Sequence, residues 1–255
     1  MRFFTDFGKG VSFHIRAFQF IAKHGLWAYF IYPVVIMAAL WIFGFWSTFA
    51  LGDTIADAVI ELLGLKDSHE GWVGKLLSVL SFIIGLLLKV LLFFVFNSFL
   101  KFIVLIICSP IMALLSEKVD EINSGKKFPF SFVQLLKDIF RSILVTFRTL
   151  FFQSLIFIAC MFIGWVPVIG WAVVPFLWMV GWYFLGFNMM DYTYERRKMN
   201  ISEGAAFTRK HKGIAIGNGM VFSALLWIPF LGIALAPVVS AVAGTLATID
   251  AMKEK

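Results

Sequence analysis

Charge is scarce in this chain: 15% of its 255 residues are Asp, Glu, Lys or Arg, 61% are hydrophobic, and the mean hydropathy is +0.91. A soluble domain of this length has too small an interior to hide so much apolar surface, which excludes a water-soluble globule and makes lipid the main solvent. Cysteine is nearly absent. Cys108 and Cys160 both sit in apolar runs without CxxC or ligand spacing, so neither a disulfide nor a thiolate-metal framework is expected. Histidine is as sparse: His14, His24, His69 and His211 lie far apart with no HExxH, and no metal site is expected. G-x-S-x-G, Walker A and dinucleotide-binding patterns are missing, which argues against an enzyme of those kinds and against a cofactor. Acidic residues number 15 against 22 basic ones. In a membrane chain that excess belongs in cytoplasmic loops, and it does not call for a nucleic-acid partner.

What is plentiful is Phe, 31 of them, with 9 Trp, arranged in long apolar runs. Over residues 2–24, Phe4, Phe7, Val11, Ile15, Phe18 and Ala22 fall on one helical stripe, with Arg2, Lys9, Arg16 and Lys23 off it. This pattern predicts a helix lying in the membrane interface. Residues 26–51 follow at crossing length, with Pro33 near the start where a helix tolerates it; the run is too long for a signal-peptide core and has no small-residue cleavage site. Between Gly52 and Gly71, Asp53, Asp57, Glu61, Asp67 and Glu70 face Lys66 alone, and we expect a loop on the outer side. Residues 72–115 are then apolar almost throughout, roughly 66 Å if wholly helical against a ~30 Å hydrocarbon layer. One long helix breaking near Ser109-Pro110 is the expected reading, with two crossings as the alternative. Lys118, Lys126, Lys127, Lys137 and Arg141 assign 116–141 to the cytoplasm and favour the single crossing.

An internal repeat organises the rest. Trp165-Val166-Pro167-Val168-Ile169-Gly170, closing at Pro175, matches Trp227-Ile228-Pro229-Phe230-Leu231-Gly232, closing at Pro237. Pro and Gly inside apolar sequence mark tight turns, so each copy reads as a helical hairpin, over 139–190 and 214–250, joined by a basic cytoplasmic segment 191–213. The purely apolar arms, 155–165 and 214–227, fall short of the ~20 residues of a full crossing, which leaves open whether the hairpins span or enter partway. The expected fold is therefore an all-α polytopic membrane protein forming one domain over 1–255. It comprises an amphipathic N-terminal helix, two long transmembrane helices and two helical hairpins, with both termini cytoplasmic.

Few residues point to chemistry. Lys89 lies deep in the long apolar helix, where a cation marks an anion path or a buried ion pair; a shifted helix would instead leave it near an interface or at an oligomer seam. Arg141 and Arg148, seven residues apart, share a face beside Gln153; they line an anion vestibule or snorkel to the interface. Gly213, Gly217 and Gly219 read as close helix packing rather than a phosphate cradle. Trp165, Trp171, Trp178, Trp182 and Trp227 read as interface and packing residues, and the sequon Asn200-Ile201-Ser202 falls on the expected cytoplasmic side.

The order of these features resembles the CysZ-type sulfate permease family, which includes the etoposide-induced membrane proteins. The resemblance runs from His24-Gly25-Leu26 and Tyr32-Pro33 through Ser109-Pro110 and Leu115-Ser116-Glu117-Lys118-Val119-Asp120 to the two Trp-Val/Ile-Pro turns and Asp191-Tyr192. It implies an oligomeric inner-membrane protein with hemi-penetrating hairpins that moves sulfate into the cytoplasm for cysteine synthesis. Family members tied to sulfate carry Gly-Leu/Ile-Arg before the first long helix, where backbone N–H groups and the arginine can hold an oxyanion. Here the triplet is Gly25-Leu26-Trp27; the backbone part stays, and Lys23 or His24 supplies charge from the preceding turn. Glu117 and Asp191 match family positions, where a carboxylate near Arg148 or Arg197 either closes a gate or fixes helix ends. The expected function is channel-like or secondary transport of a small oxyanion, with sulfate foremost. Lys23, His24, Gly25 and Leu26 would bind it, and Lys89, Arg141, Arg148, Glu117 and Asp191 would line its path. The alternative is a non-transporting scaffold or lipid-interacting protein of the same fold, which Trp27 favours.

Overall fold

The computed structural model describes residues 2–64, 71–125, 132–164, 169–228 and 231–253, and among them every regular element is helical. In chain order these are α1 (Arg2–His24), a 3-10 turn (Leu26–Phe30), α2 (Ile31–Leu62), α3 (Trp72–Ser124), α4 (Phe132–Ile163), α5 (Ile169–Arg196), α6 (Ile201–Lys210), α7 (Lys212–Leu226) and α8 (Gly232–Lys253). Among the described residues, five stretches are long and apolar enough to cross a membrane: Leu26–Leu62, Trp72–Phe93, Phe140–Ile163, Gly170–Arg196 and Gly232–Lys253. The chain forms two compact units, Met1–Val34 with Leu105–Lys255, and Val35–Val104.

The larger unit is built around α7. From Gly213 to Gly219 every residue of this helix is buried, which its small side chains permit because neighbouring backbones can approach closely. A Cβ at Gly217 would lie 2.5 Å from the Phe7 carbonyl oxygen of α1, and one at Gly10 2.5 Å from the Ile214 carbonyl oxygen, so α1 and α7 meet backbone to backbone. On its other side α7 meets α5, where Gly219 faces the Trp182 carbonyl and Gly186 faces that of Ala215. Helix α8 closes the group: 83% of its apolar window is buried, whereas the Trp72–Phe93 window has no buried residue. A crossing-length helix so enclosed has protein rather than lipid as its neighbour.

Helix α1 uses two faces. Asp6, Gly10, Phe13, His14, Ala17 and Ile21 are buried against α7 and α8, while Phe4, Ile15 and Phe18 of the apolar stripe stay exposed. The stripe therefore points away from the protein, as an in-plane helix requires. His14 donates from Nδ1 to the Gly10 carbonyl (3.0 Å), which leaves Nε2 to accept from the Ser240 hydroxyl of α8 (3.1 Å). Burial of this ring lowers its pKa to about 4. Asn218 of α7 donates to the Ser240 carbonyl (3.2 Å), tying three helices at one point.

In the smaller unit, α2 and α3 touch where small residues let them. Gly44 receives the Phe96 ring, Gly85 faces Ala56, and a Cβ at Gly52 would lie 2.7 Å from Lys89 Cγ. Trp41 and Phe93 stack edge to face, with centroids 5.9 Å apart.

Several boundaries differ from the sequence reading. The first long helix, expected over 26–51, opens with the 3-10 turn and runs on to Leu62 through the segment expected as an acidic loop. Asp53, Asp57 and Glu61 recur at every fourth residue, so one helical face carries the charge without breaking the helix. The second, expected over 72–115 with a break at Ser109-Pro110, continues as one helix to Ser124 with Pro110 inside it. Proline removes one backbone hydrogen bond, but Met112, Ala113, Leu115, Ser116, Val119 and Asp120 beyond it are all buried, and that packing holds the helix. The first hairpin has arms α4 and α5 of 32 and 28 residues, longer than the sequence suggested, whereas α7 has 15. Pro175 and Pro237, expected to close the turns, lie inside α5 and α8. The segment 191–213 holds the end of α5 and all of α6, which starts at a capping box made by Asn200 and Glu203. Trp165–Val168 and Pro229-Phe230 of the repeated turns, and His69, fall outside the described residues.

Candidate functional site

Helix α5 ends in a run of charge, and Asp191, Arg196 and the following Arg197 each find a partner on a neighbouring helix. Asp191 receives Arg141 of α4 in the two-pronged arrangement that guanidinium and carboxylate favour, Nε to Oδ2 at 3.1 Å and Nη2 to Oδ1 at 2.9 Å. The third prong, Nη1, donates to the Met199 carbonyl just before α6 (2.6 Å). One turn on, Arg196 pairs with Glu117 (2.8 Å) and Arg197 with Asp120 (3.0 Å), both on the last turns of α3. Asp120 is fully buried and its Oδ2 accepts no hydrogen bond within the described residues. Three arginines and three carboxylates from α3, α4 and α5 thus gather at one end of the bundle, in partial burial where such pairs are strengthened by the low dielectric.

Of the residues singled out from sequence, Arg141, Asp191 and Glu117 enter this cluster. Asp191 pairs with Arg141 rather than with Arg148 or Arg197, and Glu117 with Arg196. Arg148 lies on the same helix as Arg141 but sits over the Phe152 ring, 5.8 Å from its centre. Lys89 belongs to the smaller unit and makes an ion pair of 2.5 Å with Asp53, its stem lying against Gly52. Asp120 and Arg196 were not singled out. Their signal was present as complementary spacing, with carboxylates at 117 and 120 on one helix face and two adjacent arginines at 196 and 197.

The remaining four candidates form the corner between α1 and the 3-10 turn. Gly25 takes a left-handed conformation (φ 67°, ψ 31°), which ends α1 at little cost for glycine, and nothing crowds its α-carbon. His24 donates from Nδ1 to the Phe20 carbonyl (2.9 Å) with its ring stacked on Phe20, so its direction is set from within α1. Lys23 is exposed and Leu26 is buried. Trp27 lies against Phe18 (5.7 Å) and Phe30 (5.6 Å) and is half exposed. Among the described residues no group of three or more His, Cys, Asp and Glu is placed to hold a metal ion.

The model of the family described as "Sulfate transporter CysZ/Etoposide-induced protein 2.4" matches residues 13–237. The chain is 30% identical over 175 residues to the sulfate transporter CysZ of Vibrio parahaemolyticus, covering 66% of this chain and 70% of that protein. It is 31% identical to the same-named protein of Vibrio atlanticus, covering 66% and 69%, and 26% identical over 233 residues to that of Pectobacterium atrosepticum, covering 90% and 81%. These relatives are named as transporters, and the helices around the charge cluster lie within the matched residues. The chain is a membrane protein belonging to the sulfate transporter CysZ and etoposide-induced protein 2.4 family.

Proposed function

We propose that this protein carries a small oxyanion, sulfate foremost, across the inner membrane into the cytoplasm by a channel-like or secondary route. Both termini would face the cytoplasm, and the chain would work as one membrane domain within a homo-oligomer. The observation that carries this reading is the family match over 13–237, joined by relatives named as sulfate transporters. On this reading the corner of Lys23, His24, Gly25 and Leu26 receives the anion, offering an exposed ammonium beside an uncrowded backbone turn. Arg141 and Arg148, with Glu117 and Asp191, line the way onward, and Lys89 is the candidate in the second unit. Asp191 already occupies Arg141 as an oxyanion would, so passage requires the carboxylate to yield its place.

Radiolabelled sulfate uptake into proteoliposomes tests the proposal. Saturable uptake above empty liposomes, lowered in a Lys23→Ala/His24→Ala variant, is the expected result. Uptake equal to the blank from folded protein would sink it and support the scaffold reading, which the packing of Trp27 between Phe18 and Phe30, in place of a free arginine, favours.

A further inference from the structure

We infer that the groove between the start of α4 and the corner joining α5 to α6 seats one anionic phospholipid. The groove has a volume of about 730 Å³ and brings Lys137, Arg141 and Lys198 together with apolar side chains, Phe140 and Leu144 among them. Arg141 is held by Asp191 and Met199, which leaves Lys137 and Lys198 as the cations available to a ligand; Glu195 is the carboxylate among the lining residues. Both lysines are exposed.

Two features decide what the ligand is. First, the groove straddles the end of a crossing-length stretch: Phe140 begins the apolar span of α4, while Lys137 lies one turn before it. A headgroup at the lysines would therefore stand at the level where a bilayer keeps its phosphates. Second, the apolar lining continues down α4. Phe140, Leu144, Phe147 and Phe151 recur at three- and four-residue spacing and are all exposed. From Phe140 to Phe151 this stripe runs roughly 16 Å, about the depth of one leaflet's hydrocarbon. A free oxyanion would use the lysines and leave the stripe idle; a second copy would cover the stripe without needing cations at its head. A phospholipid with a net negative headgroup uses both.

Lys198 adds a supporting detail. It follows the end of α5 in the left-handed region (φ 56°), a position where glycine is usual, with the Met199 N–H returning to the Tyr194 carbonyl (3.0 Å). The chain keeps a cation at a backbone position that disfavours any side chain.

Native mass spectrometry of the full chain in mild detergent, with phosphatidylglycerol or phosphatidylcholine added, tests the proposal. Wild type is expected to retain one phosphatidylglycerol per chain in preference to phosphatidylcholine. A Lys137→Ala/Lys198→Gly variant should bind it more weakly by on the order of tenfold, while Lys75→Ala/Lys212→Ala should bind as wild type does. Glycine at 198 suits the backbone already there, so the variant is expected to fold. Equal retention by the groove variant overturns the proposal, as does displacement of the lipid by inorganic phosphate, which would mark an anion site. A groove variant that loses its oligomeric state with lipid binding unchanged would make the groove an interface between copies and overturn it too. Sulfate uptake is not the readout, so failure here and failure of the transport reading are separate results.

Discussion

Arg141 and Asp191 are fifty residues apart in sequence and joined by two parallel hydrogen bonds, with 16% and 6% of their side chains exposed. Charges so placed have lost most of their water, and each depends on the other for compensation.

Removing one partner should therefore cost more than removing both. Arg141→Met or Asp191→Leu alone is expected to destabilise the protein by on the order of 3 kcal/mol, because it strands a charge, and the double substitution by less. Thermal unfolding in detergent measures this. Single variants as stable as wild type would mean that the pair is not closed in the working protein.

Acid should loosen the joint of α1 with α8. His14 is held neutral with a pKa near 4, against about 6.5 when unfolded, so the unfolded chain binds the proton first. The stability this represents is present in full above pH 6.5 and is lost as pH falls toward 4, by ~2 kcal/mol at pH 5. His14→Gln should flatten that slope between pH 7 and 5. An unchanged slope would assign the acid sensitivity elsewhere, for instance to His211, whose burial also lowers its pKa while Asp6 at 3.4 Å opposes that shift.

Bulk at the α1–α7 contact should release the N-terminal helix without unfolding the rest. Gly217→Leu places side-chain atoms where the Phe7 carbonyl now sits, and Gly10→Leu where that of Ile214 sits. Faster protease cleavage within α1, with the other helices protected, is the expected pattern. Cleavage at the wild-type rate would contradict the contact.

Lys89 and Asp53 offer a charge-exchange experiment. If their role is only to neutralise each other, Lys89→Asp with Asp53→Lys recovers both the stability and the sulfate uptake that either single change lowers. With Lys89 on the proposed path, we expect stability to recover and uptake to stay low. Full recovery of uptake in the exchanged protein would remove Lys89 from that path.

Much of the fold was legible because lipid-facing helices leave simple marks. Phe4, Ile15 and Phe18 announced an amphipathic helix, and the Trp-Pro-Gly repeat announced two returns of the chain. What misled was local punctuation. Pro110 and the acids at 53, 57 and 61 look like breaks when read alone, yet helices pass through both, since breaking depends on packing beyond the residue and on which face it occupies. The arginines of the cluster were visible, but their partners were not: pairing Arg141 with Asp191 rather than Arg148 needs the rotation of α4 against α5, which no single-helix pattern carries.

The order of synthesis meets an obstacle in the burial of α7 and α8. Helix α1 is made before α7 and α8, yet the surfaces that cover its Gly10 and His14 belong to those two helices. Until those leave the ribosome, α1 has only the membrane surface to rest on, and its exposed Phe stripe is what can hold it there. An interruption of translation before Gly232 would leave α7 with a bare flank, because α8 is the helix that covers it there.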